Sequence, residues 1–261
     1  MRKRFQNIID KYVAILVIVL LLIVWQLAHN FGVLPEYMLP SPRQVVEAMI
    51  KDFPLLMKHA WTTLYEAFVG LGIGVLAGFL VSLLMDSSSV IYKALYPILV
   101  MTQTVPTVAI APLLVLWMGY GTAPKITLIV IAGFFPIAVN LLDGYKAVDE
   151  DLLRLMKSMG ATKWQVFRHV KFPGSMSYFF AGLRISVSYS IVGAVISEWL
   201  GGFSGLGVYM TRVKKSFSYD KMFAVIFMIS FLSLILIKLL GILEKRFVHA
   251  ENNVNSRKKE I

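Results

Sequence analysis

Three sets of polar residues interrupt apolar stretches of this 261-residue chain and could do chemistry there. Thr102, Gln103 and Thr104 stand just before Pro106, and Pro112 follows. Hydroxyls and an amide beside two prolines suit a helix broken open along a water-filled path, because such groups are unfavourable against lipid. The simpler arrangement is a kinked helix whose threonine hydroxyls return to backbone carbonyls. Arg184, Glu198 and Lys238 stand out as ionisable residues in apolar runs. Arg184 and Lys238 lie close enough to a run's end for their side chains to snorkel to headgroups. Glu198, beside the interfacial Trp199, is as well placed to meet a solute as to sit at the interface. Ser186, Ser188 and Ser190 have no His or Asp nearby within the runs, so no nucleophile–base pair is available. His29, His59, His169 and His249 are too dispersed for a metal cluster, and there is no cysteine. Neither a G-x-x-x-x-G-K-[ST] phosphate loop nor H-E-x-x-H occurs. The chemistry on offer is binding and passage, not bond breaking.

The elements that must position these residues follow from composition. Hydrophobic residues make up 57% of the chain and charged residues 16%, with a mean hydropathy of +0.71. A soluble domain of this size could not cover itself with so few charges, and a disordered chain would not carry so much apolar surface. Long apolar runs recur six times, near residues 12–30, 63–85, 94–118, 126–142, 178–200 and 222–243. Each approaches the roughly 20 residues that a helix needs to cross a bilayer core. They are continuously apolar rather than alternating, which predicts helices and not a barrel. The expected fold is an all-α integral membrane protein of six spans. The first run, preceded by Arg2, Lys3 and Arg4, lacks an A-x-A cleavage site and reads as an uncleaved anchor. With the N-terminus inside, inner segments hold sixteen Lys and Arg and outer segments eight, so both termini are expected to be cytoplasmic. The net charge of +11 then sets orientation and meets anionic membrane lipid rather than nucleic acid. Lys125 marks a short outer turn between two spans. In the second run Gly70, Gly74 and Gly78 form a stripe that admits another helix closely, as static packing or as a sliding contact.

The expected organisation is a cytoplasmic segment over 1–11, a six-span domain over 12–243 and a basic polar tail over 244–261, disordered from Asn252 onward. Ser41, Pro42 and Gln44 form a capping box that opens an outer amphipathic helix before the second span. The longest inner segment carries an elbow over 149–173. Leu152 to Met159 reads as a short amphipathic helix, and Gly160 ends it. Thr162 and Gln165 form a second capping box and open a helix through Val170, which Pro173 stops before the fifth span.

Gly160, nine further residues and then Val170-Lys171-Phe172-Pro173 resemble the G-x9-I-x-L-P core of the EAA loop of binding-protein-dependent ABC importer permeases. Ala161, Trp164 and Phe167 fit the same pattern. The name-giving Glu-Ala-Ala is replaced by Arg154-Leu155-Met156, a change that removes the acidic contact and keeps the elbow. The run from Pro106 to Pro112, the Trp117–Gly121 stretch and Gly205-Leu206-Gly207 resemble the nitrate, sulfonate and taurine group. The Ser197–Gly202 stretch is closer to its pyrimidine-precursor branch. The resemblance spans about residues 35–245.

It implies a type I ABC importer permease fold and a permease subunit in a bacterial cytoplasmic membrane. The transported solute would be a sulfonate- or nitrate-like anion or a pyrimidine heterocycle. Partners implied are two cytoplasmic ABC ATPase subunits, an extracytoplasmic solute-binding protein and a second permease copy. ATP and magnesium would sit on the ATPase subunits, with no cofactor in this chain. Arg154, Met156, Met159, Gly160, Ala161, Trp164, Phe167 and Pro173 are the implied ATPase-docking residues. Thr102, Gln103, Thr104, Pro106, Arg184 and Glu198 are the candidates for the path. An ion-coupled secondary transporter is the competing class; it would call for mid-membrane carboxylates and an internal repeat.

Overall fold

The protein is described by a computed structural model covering the backbone of residues 2–35 and 38–257, with side chains over 13, 15–35 and 38–247. The described residues form helices α1 (Arg2–Asn30), α2 (Pro42–Lys51), α3 (Phe53–Ser87), α4 (Ser89–Thr104), α5 (Thr107–Met118) and α6 (Ala123–Lys146). After these come α7 (Glu150–Ser158), α8 (Lys163–Val166), a π turn (Phe167–Lys171), α9 (Phe172–Gly174), α10 (Met176–Gly201), α11 (Leu206–Lys215) and α12 (Tyr219–Arg257). Two compact units result, His59–Val208 with Ile229–Ile261, and Met1–Lys58 with Tyr209–Met228.

In the larger unit α6 runs parallel to α3 and antiparallel to α10. Its first turn meets Glu66 through Lys125, and its last turns meet Ser82 through Tyr145 and Ser175 through Gly144. Close approach rests on glycine. A Cβ on Gly70 would stand 2.6 Å from that of Ile129, and one on Gly78 would stand 2.7 Å from the Phe134 carbonyl oxygen. Gly74, between them, has ordinary contact distance at 3.6 Å. The stripe predicted from sequence is thus a packing seam against α6, tight at two of its three positions. Met85, Ile137, Leu141 and Tyr145 are buried in one apolar cluster, and Phe167 joins it from the π turn.

Among the described residues, four helices are long and apolar enough to cross a membrane: Phe53–Ser87, Ala123–Lys146, Met176–Gly201 and Tyr219–Phe247. The third expected span, 94–118, is not one rod. It is α4 and α5, bent by 97°. Val105 and Pro106 both adopt extended backbone at the bend, because the proline ring disfavours helical geometry in the residue before it. The first expected span corresponds to α1, apolar over Ile15–Asn30; the side chains of residues 1–12 lie outside the described ones.

Two further expectations are corrected. Pro173 does not stop the helix entering the fifth span. The π turn shifts the hydrogen-bond register, so that Phe172 N–H bonds Phe167 C=O, and Pro173 falls in the first turn of α9. A first-turn proline leaves no bond unmade. The tail from Asn252 is helical as far as Arg257; residues 258–261 lie outside the described ones.

In the smaller unit α2 begins as predicted, with Ser41 and Gln44 bonded reciprocally (2.7 and 3.2 Å). Its buried Val45 and Ala48 pack on Ala224, with Trp25 and Phe223 alongside. Asp52, at the α2–α3 junction, accepts from Tyr209 Oη at 2.6 Å and Lys221 Nζ at 2.8 Å. Burial pushes the Asp52 carboxyl up, but the Lys221 and Tyr209 hydrogen bonds outweigh it and hold it below its ordinary range. Burial and the Asp52 carboxylate together push the Tyr209 hydroxyl upward.

Candidate translocation cavity and coupling elbow

The elbow is built from two local caps. At the end of α7, Gly160 N–H bonds Lys157 C=O and Ala161 N–H bonds Met156 C=O, both at 3.0 Å. This is the Schellman pairing. It places Gly160 at φ +75°, in the left-handed region where an L side chain is strained. Two residues on, Gln165 N–H bonds Thr162 Oγ1 at 3.3 Å while Thr162 N–H bonds Gln165 Oε1 at 2.8 Å. The turn between α7 and α8 is therefore fixed on both sides by short-range chemistry.

The elbow's surface is apolar where it could meet another chain. Met159 is 74% exposed and Trp164 60%, with Leu152 and Leu155 also outward. Ala161, Met156 and Pro173 are half-buried. Arg154 is exposed and folded back on Glu150 at 3.0 Å. Phe167 is different from the expected contact residue. It is buried, edge-on to Tyr145 with ring centres 5.5 Å apart and stacked under Trp164 at 5.7 Å. It roots the elbow instead of presenting it. A second anchor, unanticipated from sequence, is Lys171, whose Nζ donates to both Asp86 oxygens at the end of α3 (2.6 and 2.8 Å).

At the α4–α5 bend lies a cavity of about 260 Å³, lined by Thr102, Gln103, Pro106, Thr107, Tyr189 and Gly193 among others. Three of the six path candidates therefore do come together. The Thr102 hydroxyl returns to Leu99 C=O at 2.7 Å, as in a kinked helix, while the residue also lines the cavity. Thr104 donates to Met101 C=O and is exposed outside the cavity. Arg184 does not reach it, being ion-paired with Glu244. Glu198 lies elsewhere, buried near the end of α10 with Thr63 and Gly207 as partners. The residues lining the cavity carry no formal charge. Tyr189 is a lining residue that sequence reasoning misses, because one tyrosine in an apolar run gives no signal of what it faces. Glu66, within the second apolar run, is missed as well, and Lys125 reads only as a turn cation; the two are a buried ion pair.

A family profile described as "Binding-protein-dependent transport system inner membrane component" matches residues 70–249. The chain belongs to that family. It is 37% identical over 234 residues to a "Probable ABC transporter permease protein" of Haemophilus influenzae, covering 90% of this chain and 96% of that one. It is 38% identical over 217 residues to the "Formylaminopyrimidine transport permease protein ThiX" of Halalkalibacterium halodurans, covering 83% and 86%. Among solved structures, the "MetNI methionine ABC transporter" in an inward-facing conformation superposes with a TM-score of 0.64 at 20% identity, over 76% of this chain and 97% of that one. That likeness shows the fold. The permease is thus a multi-pass membrane subunit of an ABC importer, a class that works with an ATPase and a substrate-binding protein. Both the elbow and the cavity fall inside the residues the profile matches.

Proposed function

We propose that two copies of this permease form one translocation path in a bacterial cytoplasmic membrane, each docked on an ABC ATPase subunit through the 149–173 elbow. The observation that carries this reading is the elbow itself: a doubly capped, rigid turn that presents Met159 and Trp164 outward. ATP and magnesium belong to the ATPase partners, and this chain contributes no catalytic group. The cationic bias of the segments on the elbow's side supports a cytoplasmic elbow and extracytoplasmic docking of the solute-binding protein at the other end. Approach and separation of the ATPase pair would move the elbows and switch access to the path between the two sides, a two-state element biased from both faces of the membrane.

For the solute, the chemistry of the cavity favours an uncharged heterocycle over a sulfonate- or nitrate-like anion. Gln103 and the threonines offer hydrogen bonds and Tyr189 a flat apolar face, while Arg184, on the same helix as Tyr189, is already paired with Glu244. The relative named for formylaminopyrimidine transport is consistent with that class. The docking reading is tested by capture of the ATPase from solubilised complexes. Trp164→Glu should abolish capture while leaving the permease folded, and uptake that continues without any ATPase would overturn the proposal. The solute reading is tested by competition for uptake, which neutral pyrimidines should inhibit and taurine or nitrate should not.

A further inference from the structure

At the end of the larger unit opposite the elbow, three ionisable side chains are almost wholly withdrawn from solvent: Glu66 at 0% exposure, Glu198 at 1% and Lys125 at 4%. They come from α3, α10 and α6. Lys125 Nζ donates to Glu66 Oε1 at 2.7 Å. Glu198 already accepts two hydrogen bonds, from Thr63 Oγ1 at 2.7 Å and from Gly207 N–H at 2.6 Å. The remaining oxygen, Glu66 Oε2, is buried without a hydrogen-bond partner. Thr63, which holds the Glu198 carboxyl, lies one turn before Glu66 on α3, so the two carboxyl groups are neighbours in this pocket.

Among the described residues, the other titratable group facing this cluster is His59, one turn before Thr63 on α3. Its Nδ1 accepts the Gly205 N–H at 3.0 Å, so that nitrogen carries no proton and the ring is neutral. The charge count is therefore two carboxyls against one ammonium. Two facing acceptors with no hydrogen between them repel, and an unbalanced buried charge is strongly unfavourable. One hydrogen on Glu66 Oε2 removes both problems. It supplies the missing partner, gives Glu198 a third donor and leaves Lys125 and Glu198 as a balanced pair. A water at Oε2 would satisfy that oxygen but leave the excess negative charge.

The cluster holds something. Gly205, Leu206 and Gly207 deliver three successive backbone N–H groups to His59 Nδ1, Thr63 Oγ1 and Glu198 Oε2, the second at 2.9 Å. Ser204 adds a side-chain bond to Thr62 at 3.0 Å. The strap formed by residues 202–207 fits only because it is glycine-rich. A Cβ on Gly205, which has φ +126°, would collide with the Glu198 carboxyl, and one on Gly207 would collide with the Val195 carbonyl. His59, Thr63 and Glu66 precede the residues that the family profile matches.

We propose that one proton, carried on Glu66 and donated to Glu198, is a constituent of this cluster and makes it a neutral latch that fastens the 202–207 strap to α3. The assignment rests on the cluster's geometry and not on the transport reading. Infrared spectroscopy of the intact permease in nanodiscs at neutral pH should show the C=O stretch of a buried protonated carboxyl, and Glu66→Gln should remove that band. The amide is a faithful replacement: its oxygen accepts from Lys125 and its NH₂ donates to Glu198. The melting temperature of Glu66→Gln should therefore stay within about 2 °C of the parent, whereas Lys125→Met, which strands the carboxyls without a cation, should lower it well beyond that. Absence of a protonated-carboxyl band in the parent protein would overturn the proposal. So would a Glu66→Gln variant as destabilised as Lys125→Met, which is the result expected of an ordinary charged pair. Should Glu66→Gln fail to fold, that failure itself counts against the shared proton, and the band in the parent remains an independent measurement.

Discussion

Substituting Gly160 tests the elbow at the joint where its shape is decided. With φ at +75° and no atom within 4 Å of where a Cβ would stand, a side chain there meets no neighbour, so the whole effect is backbone strain. For an ordinary L residue the left-handed conformation costs about 1–2 kcal/mol. That corresponds to a factor of about 5–30 in the population of the capped turn. A partner that recognises only the capped turn loses apparent affinity in the same proportion. Gly160→Ala should therefore weaken ATPase capture by up to that factor, Gly160→Val should weaken it further, and Gly160→Asn should fall closest to the parent because Asn tolerates this region. Hydrogen exchange at the amides of residues 160 and 161 reads the same equilibrium without the ATPase, since these N–H groups bond Lys157 and Met156 only in the capped form. A Gly160→Val protein with parental exchange and parental capture would refute the reasoning. So would Asn and Val variants that behave alike.

Three further outcomes are expected. Gly78→Ala should destabilise the α3–α6 seam by about 1–3 kcal/mol through overpacking, while Gly74→Ala, with a nearest approach of 3.6 Å, should stay within about 0.5 kcal/mol; thermal melts in detergent compare them. Asp52 is held below its ordinary range in the folded protein, so its contribution is present above the unfolded carboxyl's pKa and is lost as pH falls through the folded one. Parent and Asp52→Asn melts should accordingly converge toward acid pH and separate at neutral pH, with the parent the more stable. Tyr189→Ala and Gln103→Ala should reduce solute uptake while leaving ATPase capture at the parental level, because both line the cavity at the α4–α5 bend and neither touches the elbow.

What can be read from the sequence is what is decided within a few residues. The Ser41–Gln44 and Thr162–Gln165 boxes depend on side chains three positions apart and the Gly160 terminator on one glycine's left-handed backbone, and each stands where expected. The bend at Val105–Pro106 is half-legible, since the proline signals a break but not the 97° turn that opens the cavity. Pro173 misleads, because a π turn two residues earlier absorbs the bond it cannot make. The latch is illegible for a different reason. Thr63 and Glu198 are 135 residues apart and Glu66 and Lys125 are 59 apart. Lys125 by itself is indistinguishable from a cation at a turn, and a lone Glu66 in an apolar run draws no attention until its partners arrive. Even so, the α3 stripe is continuous: His59, Thr63 and Glu66 occupy the same helical face as Gly70, Gly74 and Gly78.

The two lysine–acid contacts on α3 stand twenty residues apart, Lys125 on Glu66 and Lys171 on Asp86. At about 1.5 Å per residue that separation is about 30 Å, the depth of a bilayer's hydrocarbon. The part of α3 between these contacts is thus a strut held at both limits by ion pairs within the protein. A bilayer of different thickness meets that fixed span by tilting the helix bundle or by deforming around it.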